Sequence, residues 1–222
     1  MRQLTSNHHA LDLSPDKFGT LRDSSAIAFD APALRERSEE DGYLFLPGLL
    51  SRDGVLEARR VVGEQLMAAG LLQPGTHPSD CLAAAGARTE FHPEWTNTNA
   101  PLQKVLYQGP MIEFYERFIG EAVRHFDFTW LRTVAPGAGT APHTDAVFMN
   151  RGTHELFTSW TPLGDVSLEM GGLMMLEGSH HHRKLREVYS VDLLHKSDFA
   201  LMSRQFVIQR EPRRPKNLAL RV

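Results

Sequence analysis

The periodicity of the chain changes once, near residue 123, and that change limits the folds open to it. Ahead of it, Val55, Ala58, Val62 and Leu66 recur at helical spacing, with Glu57, Arg59, Arg60 and Glu64 mostly on other faces. Ser51 offers an N-cap and Gly70 a stop, so a helix is predicted between them. Further helical segments are expected over residues 101–107 and 110–119, the second with a proline in its first turn, where a missing N–H costs little. Behind the change, Phe126, Phe128 and Trp130 alternate with Asp127, Thr129 and Leu131, which predicts a strand within 123–134. Short β-prone pieces follow over 146–149, 156–162 and 172–176, separated by glycine-rich or charged breaks. Helices first and short strands afterwards predict a mainly β fold with helices: a sandwich or jelly roll under an N-terminal helical cover.

A chain of 222 residues can bury one sizeable core. Residues 1–36 are polar, mixed in sign and poorly periodic, and read as a loosely ordered arm. Order is expected to begin at Asp41-Gly42-Tyr43-Leu44-Phe45-Leu46-Pro47-Gly48, a turn, a short β-prone run and a stop. One domain is expected over 37–200, followed by a basic tail at 201–222. Residues 71–99, rich in Pro, Gly, His, Asn and Thr, read as a long loop of the kind that lines a site.

A net charge of −3 supplies no general attraction to nucleic acid or to an anionic membrane. No apolar run approaches the roughly 18 residues of a spanning helix. The single cysteine, Cys81, fits a reducing compartment. The N-terminus has no apolar signal core. Arg2, Gln3, His9 and Ala10 loosely fit an N-terminal peroxisomal address, so the expected location is cytoplasmic, with the peroxisome as the alternative.

The residues that carry chemistry are His143 and Asp145. Side chains two positions apart on extended backbone share a face, so an imidazole and a carboxylate can grip one ion. With a distant second histidine they complete a 2-His-1-carboxylate triad, which holds Fe(II) and leaves positions open. The spacing alone does not select them, because His125 with Asp127, and His92 with Glu94, repeat it. Position does. His125 and Asp127 lie within the alternating strand, whereas His143 and Asp145 follow the Pro136-Gly137-Ala138-Gly139 turn, where side chains can converge on a pocket.

The surrounding words resemble the phytanoyl-CoA dioxygenase family. They are Trp130-Leu131-Arg132-Thr133-Val134-Ala135-Pro136-Gly137, then Thr140-Ala141-Pro142-His143-Thr144-Asp145, Trp160-Thr161-Pro162-Leu163-Gly164-Asp165, and Gly171-Gly172-Leu173-Met174-Met175-Leu176-Glu177-Gly178-Ser179-His180. The similarity runs over about 40–190. It implies a double-stranded β-helix core, iron bound by His143 and Asp145, and Trp160 beside a 2-oxoglutarate co-substrate. The implied activity is Fe(II)- and 2-oxoglutarate-dependent oxidation of a small organic substrate. Taken without the family, Trp160 is a core aromatic, Arg132 forms a surface salt bridge or meets a substrate or cofactor carboxylate, and His180-His181-His182 is an exposed turn.

The family's last third carries a distal iron-binding histidine and, about ten residues on, an arginine for the far carboxylate of 2-oxoglutarate. The counterparts here are His195, 52 residues after His143, and Arg204. Only 12 residues separate His195 from His182, fewer than the family spends there. Two expectations therefore stand: a working oxygenase using His195 or another histidine, or a non-catalytic or truncated relative lacking a complete triad. In the second the jelly roll is incomplete at its C-terminus, and its open sheet edges invite homo-oligomers. A zinc hydrolase on the same pair is a third, weaker reading, without a placed general base.

Overall fold

The computed structural model describes residues 4–6, 9–88, 90–126, 128–134, 139–140, 143, 145 and 156–183, with the backbone of 204–207 and 219–221. A two-residue antiparallel ladder, β1 (Thr5–Ser6) with β2 (His9–Ala10), comes first. Helix α1 (Ala31–Asp41) begins where the Asp30 carboxylate accepts the amide of Ala33 at 3.0 Å, and ends at Gly42, whose φ of 77° few other residues adopt. Its first turns fall in the stretch read from sequence as a loose arm. Periodicity missed it because Leu34 is the one large apolar residue on the buried face, which Ser38 and Asp41 complete.

Strand β3 (Tyr43–Phe45) and helix α2 (Arg52–Ala68) follow as predicted. The Ser51 hydroxyl accepts the amide of Gly54. At the other end the amides of Gly70 and Leu71 return to the carbonyls of Met67 and Leu66, both at 3.0 Å, in a Schellman motif. The stretch 71–99 is less of a loop than expected. Gln73 and Ala84 donate to Leu82 and Leu71 across it, and β4 (Glu90–Phe91) and α3 (Pro93–Asn97) close it. Arg59 of α2 secures its middle, donating to the carbonyls of Ser79 and Asp80 and to that of Leu163. A buried guanidinium keeps its solvation cost down by bonding several acceptors at once.

Helices α4 (Ala100–Tyr107) and α5 (Pro110–Ile119) match expectation. Asn99 both caps α4, through Leu102 at 2.9 Å, and donates to the Ala58 carbonyl of α2 at 3.0 Å. Of the strand predicted within 123–134, only β5 (Arg132–Val134) forms a ladder; residues 128–131 keep the alternating burial without one. β6 (Phe157–Trp160), β7 (Arg204–Val207) and β8 (Ala219–Arg221) complete the strands. Two stretches of the basic tail thus join sheets. Residues 172–176, expected as a strand, are irregular, and 146–149 lie outside the described residues.

The other described strands form two three-stranded sheets. One has the order β3-β7-β6 with both pairings parallel, and the other β4-β5-β8 with both antiparallel. The described residues show helices on small sheets rather than a complete jelly roll. Ala58, Val62 and Leu66 of α2, Leu102 and Leu106 of α4, Leu131 and Leu163 form one core cluster. Leu34, Leu44, Leu46, Phe114 and Phe118 form a second, against α1 and α5. Each such leucine or phenylalanine contributes about 1.5–3 kcal/mol on burial. No described helix is long and apolar enough to cross a membrane.

Each sheet turns one face to the helices. Leu131 joins the cluster under α2 and α4, and the Thr129 hydroxyl bonds the Tyr107 hydroxyl. Phe157 meets Phe118 edge-on at 5.1 Å, and Ser159 bonds the Tyr115 hydroxyl. Alternation therefore turns Trp130 and Arg132 on one side, and Thr158 and Trp160 on the other, away from the helices.

Candidate metal centre

β6 positions the site. Because Phe157 and Ser159 are committed to α5, Thr158 and Trp160 share the opposite face. The Thr158 hydroxyl donates to Oδ2 of Asp145 at 3.1 Å. The other carboxylate oxygen, Oδ1, stands 3.3 Å from Nε2 of His143. Asp145 is mostly buried and His143 partly exposed. Asp145 lies in a turn rather than in a ladder.

An imidazole nitrogen and a carboxylate oxygen are donors that suit a divalent transition metal. Bonds of about 2.1 Å at a right angle place neighbouring donor atoms about 3 Å apart, close to the separation found here. The pair fits two adjacent positions on one ion. Among the described residues no third His, Cys, Asp or Glu joins them. His195 lies outside the described residues. Arg204 opens β7, in register with Phe157 rather than with Thr158 or Trp160.

The competing pairs have other partners. His125 stacks on Tyr107 at 3.9 Å, with Nδ1 2.8 Å from the Phe126 carbonyl; Asp127 lies outside the described residues. His92 is buried and stacked on Trp95 at 3.8 Å, and that burial holds its pKa below the ordinary value although Glu90 and Glu94 are near. His181 and His182 are exposed, as expected of a turn, but His180 is not simply solvated. Its Nε2 lies 2.8 Å from the Glu39 carbonyl at the end of α1, and its ring fills the space where a Cβ on Gly42 would come within 2.4 Å.

Trp160 is a core aromatic, packed with Val166 against Leu21, Phe45, Met170 and Leu173. Its indole Nε1 is also buried without an acceptor among the described residues, a state that costs about 1–3 kcal/mol unless a ligand satisfies it. Burial pushes the Tyr115 phenol well above its usual range, so it stays a neutral partner for Ser159. Arg132 makes no salt bridge among the described residues, against the commoner expectation. Its guanidinium lies over the Trp130 and Phe91 rings, 5.3 and 5.7 Å from their centres, and Nη1 donates to the Thr140 hydroxyl at 3.4 Å. Sequence reasoning missed Thr158, although its two-residue offset from Trp160 on a predicted strand marked the shared face.

The sequence matches the phytanoyl-CoA dioxygenase (PhyH) family over residues 38–197. It is also similar to the 1-deoxypentalenic acid 11-beta-hydroxylase of Streptomyces exfoliatus, 29% identical over 166 residues that cover 71% of this chain and 57% of that protein. The enzyme of the same name from Streptomyces arenae is 28% identical over 173 residues, covering 74% of this chain and 60% of that protein. The chain thus spans less than two thirds of the length of these relatives. With the family matched across most of its length, this chain belongs to the phytanoyl-CoA dioxygenase family.

Proposed function

We propose that this chain is an Fe(II)- and 2-oxoglutarate-dependent oxygenase that hydroxylates a small organic molecule. The observation that carries the reading is the convergence of His143 Nε2 and Asp145 Oδ1, with Asp145 held from behind by Thr158. Relatives named as hydroxylases support the reaction class. Within this reading the two sheets are part of the family's jelly roll.

His143 and Asp145 would hold the iron, with His195 as the third ligand. The bound metal, with 2-oxoglutarate and O2 as co-substrates, supplies the oxidising power to insert one oxygen atom into a C–H bond, with succinate and CO2 as co-products. The protein supplies ligand geometry and a shielded site. Thr158 fixes the Asp145 carboxylate so that one oxygen faces the ion. Trp160 offers its unpaired N–H to a co-substrate carboxylate and shields that side of the site with its ring.

The test is anaerobic titration of the full chain with Fe(II) and 2-oxoglutarate, followed by absorbance. A weak visible charge-transfer band, lost in His143→Ala and Asp145→Ala, is expected, with succinate formed on admitting air. Absence of both the band and succinate in the unmodified chain refutes the reading. Loss of the band in His195→Ala assigns the third ligand.

A further inference from the structure

The face of the β4–β5 sheet turned away from the helices is built backwards for a solvated surface. Thr129 and Thr133 are buried on the helix side, while Phe91 and Phe128 are 42 and 49% exposed on the other. The rings are organised rather than scattered. Phe91 lies 5.8 Å from Phe128 and 6.0 Å from Trp130, and Phe128 lies 6.2 Å from Trp130, the last two pairs edge to face. Antiparallel register places Phe91 directly beside Arg132, whose guanidinium lies over two of the rings. Aromatic faces hold a cation without neutralising it. Among the described residues Arg132 has the Thr140 hydroxyl as its hydrogen-bond partner and no carboxylate, so donors of its planar fork stay open. Thr140 stands three residues before His143, and three residues of chain span at most about 11 Å, so the Arg132 bond ties this face to the neighbourhood of the His143–Asp145 pair.

We infer that this surface is the substrate-recognition wall of the site and that it takes an apolar monocarboxylate. The hydrocarbon body lies on Phe91, Phe128 and Trp130, and the carboxylate pairs with Arg132. An exposed aromatic patch of this kind marks a binding surface, and a planar cation over its rings selects an anion with bidentate geometry. The inference rests on the oxygenase reading for the identity of the site, but not for its own test. Arg132 acts on binding and orientation; the reacting atoms belong to His143 and Asp145.

The experiment is isothermal titration calorimetry of the metal-free full chain with 1-adamantanecarboxylate, and with 1-adamantanemethanol as the neutral match. The acid is expected to bind at least about tenfold more tightly than the alcohol, as a charge-assisted bond requires. Arg132→Gln is expected to erase that preference and Arg132→Lys to restore part of it. Phe128→Ala, at a half-exposed ring, is expected to weaken acid and alcohol alike. Three outcomes overturn the inference. The first is equal binding of acid and alcohol, or none. The second is a preference that survives Arg132→Gln. The third is displacement of the acid by 2-oxoglutarate that depends on Arg132, which would make this a co-substrate site. Self-association of the chain that Phe128→Arg abolishes, without acid binding, would assign the patch to a second copy instead. None of these readouts uses iron, so a failed acid titration leaves the oxygenase reading intact, and a failed iron titration leaves this one intact.

Discussion

Thr158 orients Asp145: its hydroxyl donates to Oδ2 at 3.1 Å, which leaves Oδ1 facing Nε2 of His143 at 3.3 Å. A carboxylate bonded on one oxygen cannot rotate freely, so its metal-facing oxygen is set before an ion arrives. Groups that orient a ligand typically change metal affinity 10- to 100-fold when removed, roughly. Thr158→Val is therefore expected to weaken Fe(II) binding by about that factor, while Thr158→Ser stays within about threefold of the unmodified chain. Anaerobic calorimetry with Fe(II) measures both. Equal affinity in Thr158→Val would show that Asp145 is held by other contacts.

Leu34 tests where the folded unit begins. It is fully buried against Phe114, Phe118, Leu44 and Leu46, within a stretch that looks from its sequence like an arm. Leu34→Ala should cost about 2–5 kcal/mol, the range for a truncated core leucine. Leu13→Ala, at an exposed position, should stay within about 0.5 kcal/mol. Urea unfolding of the two variants decides the matter.

Gly63 of α2 faces the turn at Pro78 so closely that a Cβ would stand 2.3 Å from the Pro78 carbonyl oxygen, which is backbone and cannot swing aside. Gly63→Ala, ordinarily favourable inside a helix by about 1 kcal/mol, should here destabilise by about 1–3 kcal/mol. A lowered thermal midpoint measures it. An unchanged or raised midpoint would mean that the 71–84 segment can move off the helix.

Burial against Trp95 keeps the folded-state pKa of His92 below its usual 6.5. A histidine whose pKa is depressed on folding favours the folded state when neutral. That stability is present above pH 6.5, and it is lost as pH falls through the folded value. His92→Phe, which keeps a ring on Trp95, is expected to flatten the fall in urea midpoint as pH drops below 6.5. Parallel pH profiles of the two proteins would contradict this.

The helical half was legible because its signals are local. Ser51 and Gly70 bracket α2, each satisfying backbone groups within a few residues of itself, and Pro110 opens α5, where its missing N–H costs little. α1 escaped because its buried face carries Ser38 and Asp41 beside a single leucine, and a polar residue leaves no apolar period to read. The strand predicted within 123–134 was half legible. Its alternation survives in the burial of Thr129 and Leu131, yet the ladder is limited to Arg132–Val134, because pairing needs a neighbour that sequence does not specify.

By itself, then, the amino-acid order determined α2, α4 and α5, the position of β6 and the candidacy of His143 and Asp145, since caps, periodicity and two-residue spacing act over short range. Only the tertiary structure decided that Thr158 backs Asp145, that His180 closes α1 through Glu39, and that Arg132 lies among aromatic rings. The first two contacts join residues 13 and 141 positions apart, and Phe91 reaches Arg132 across a sheet. Their distances depend on which faces the packed helices leave open, a property of the assembled layers that no local stretch encodes.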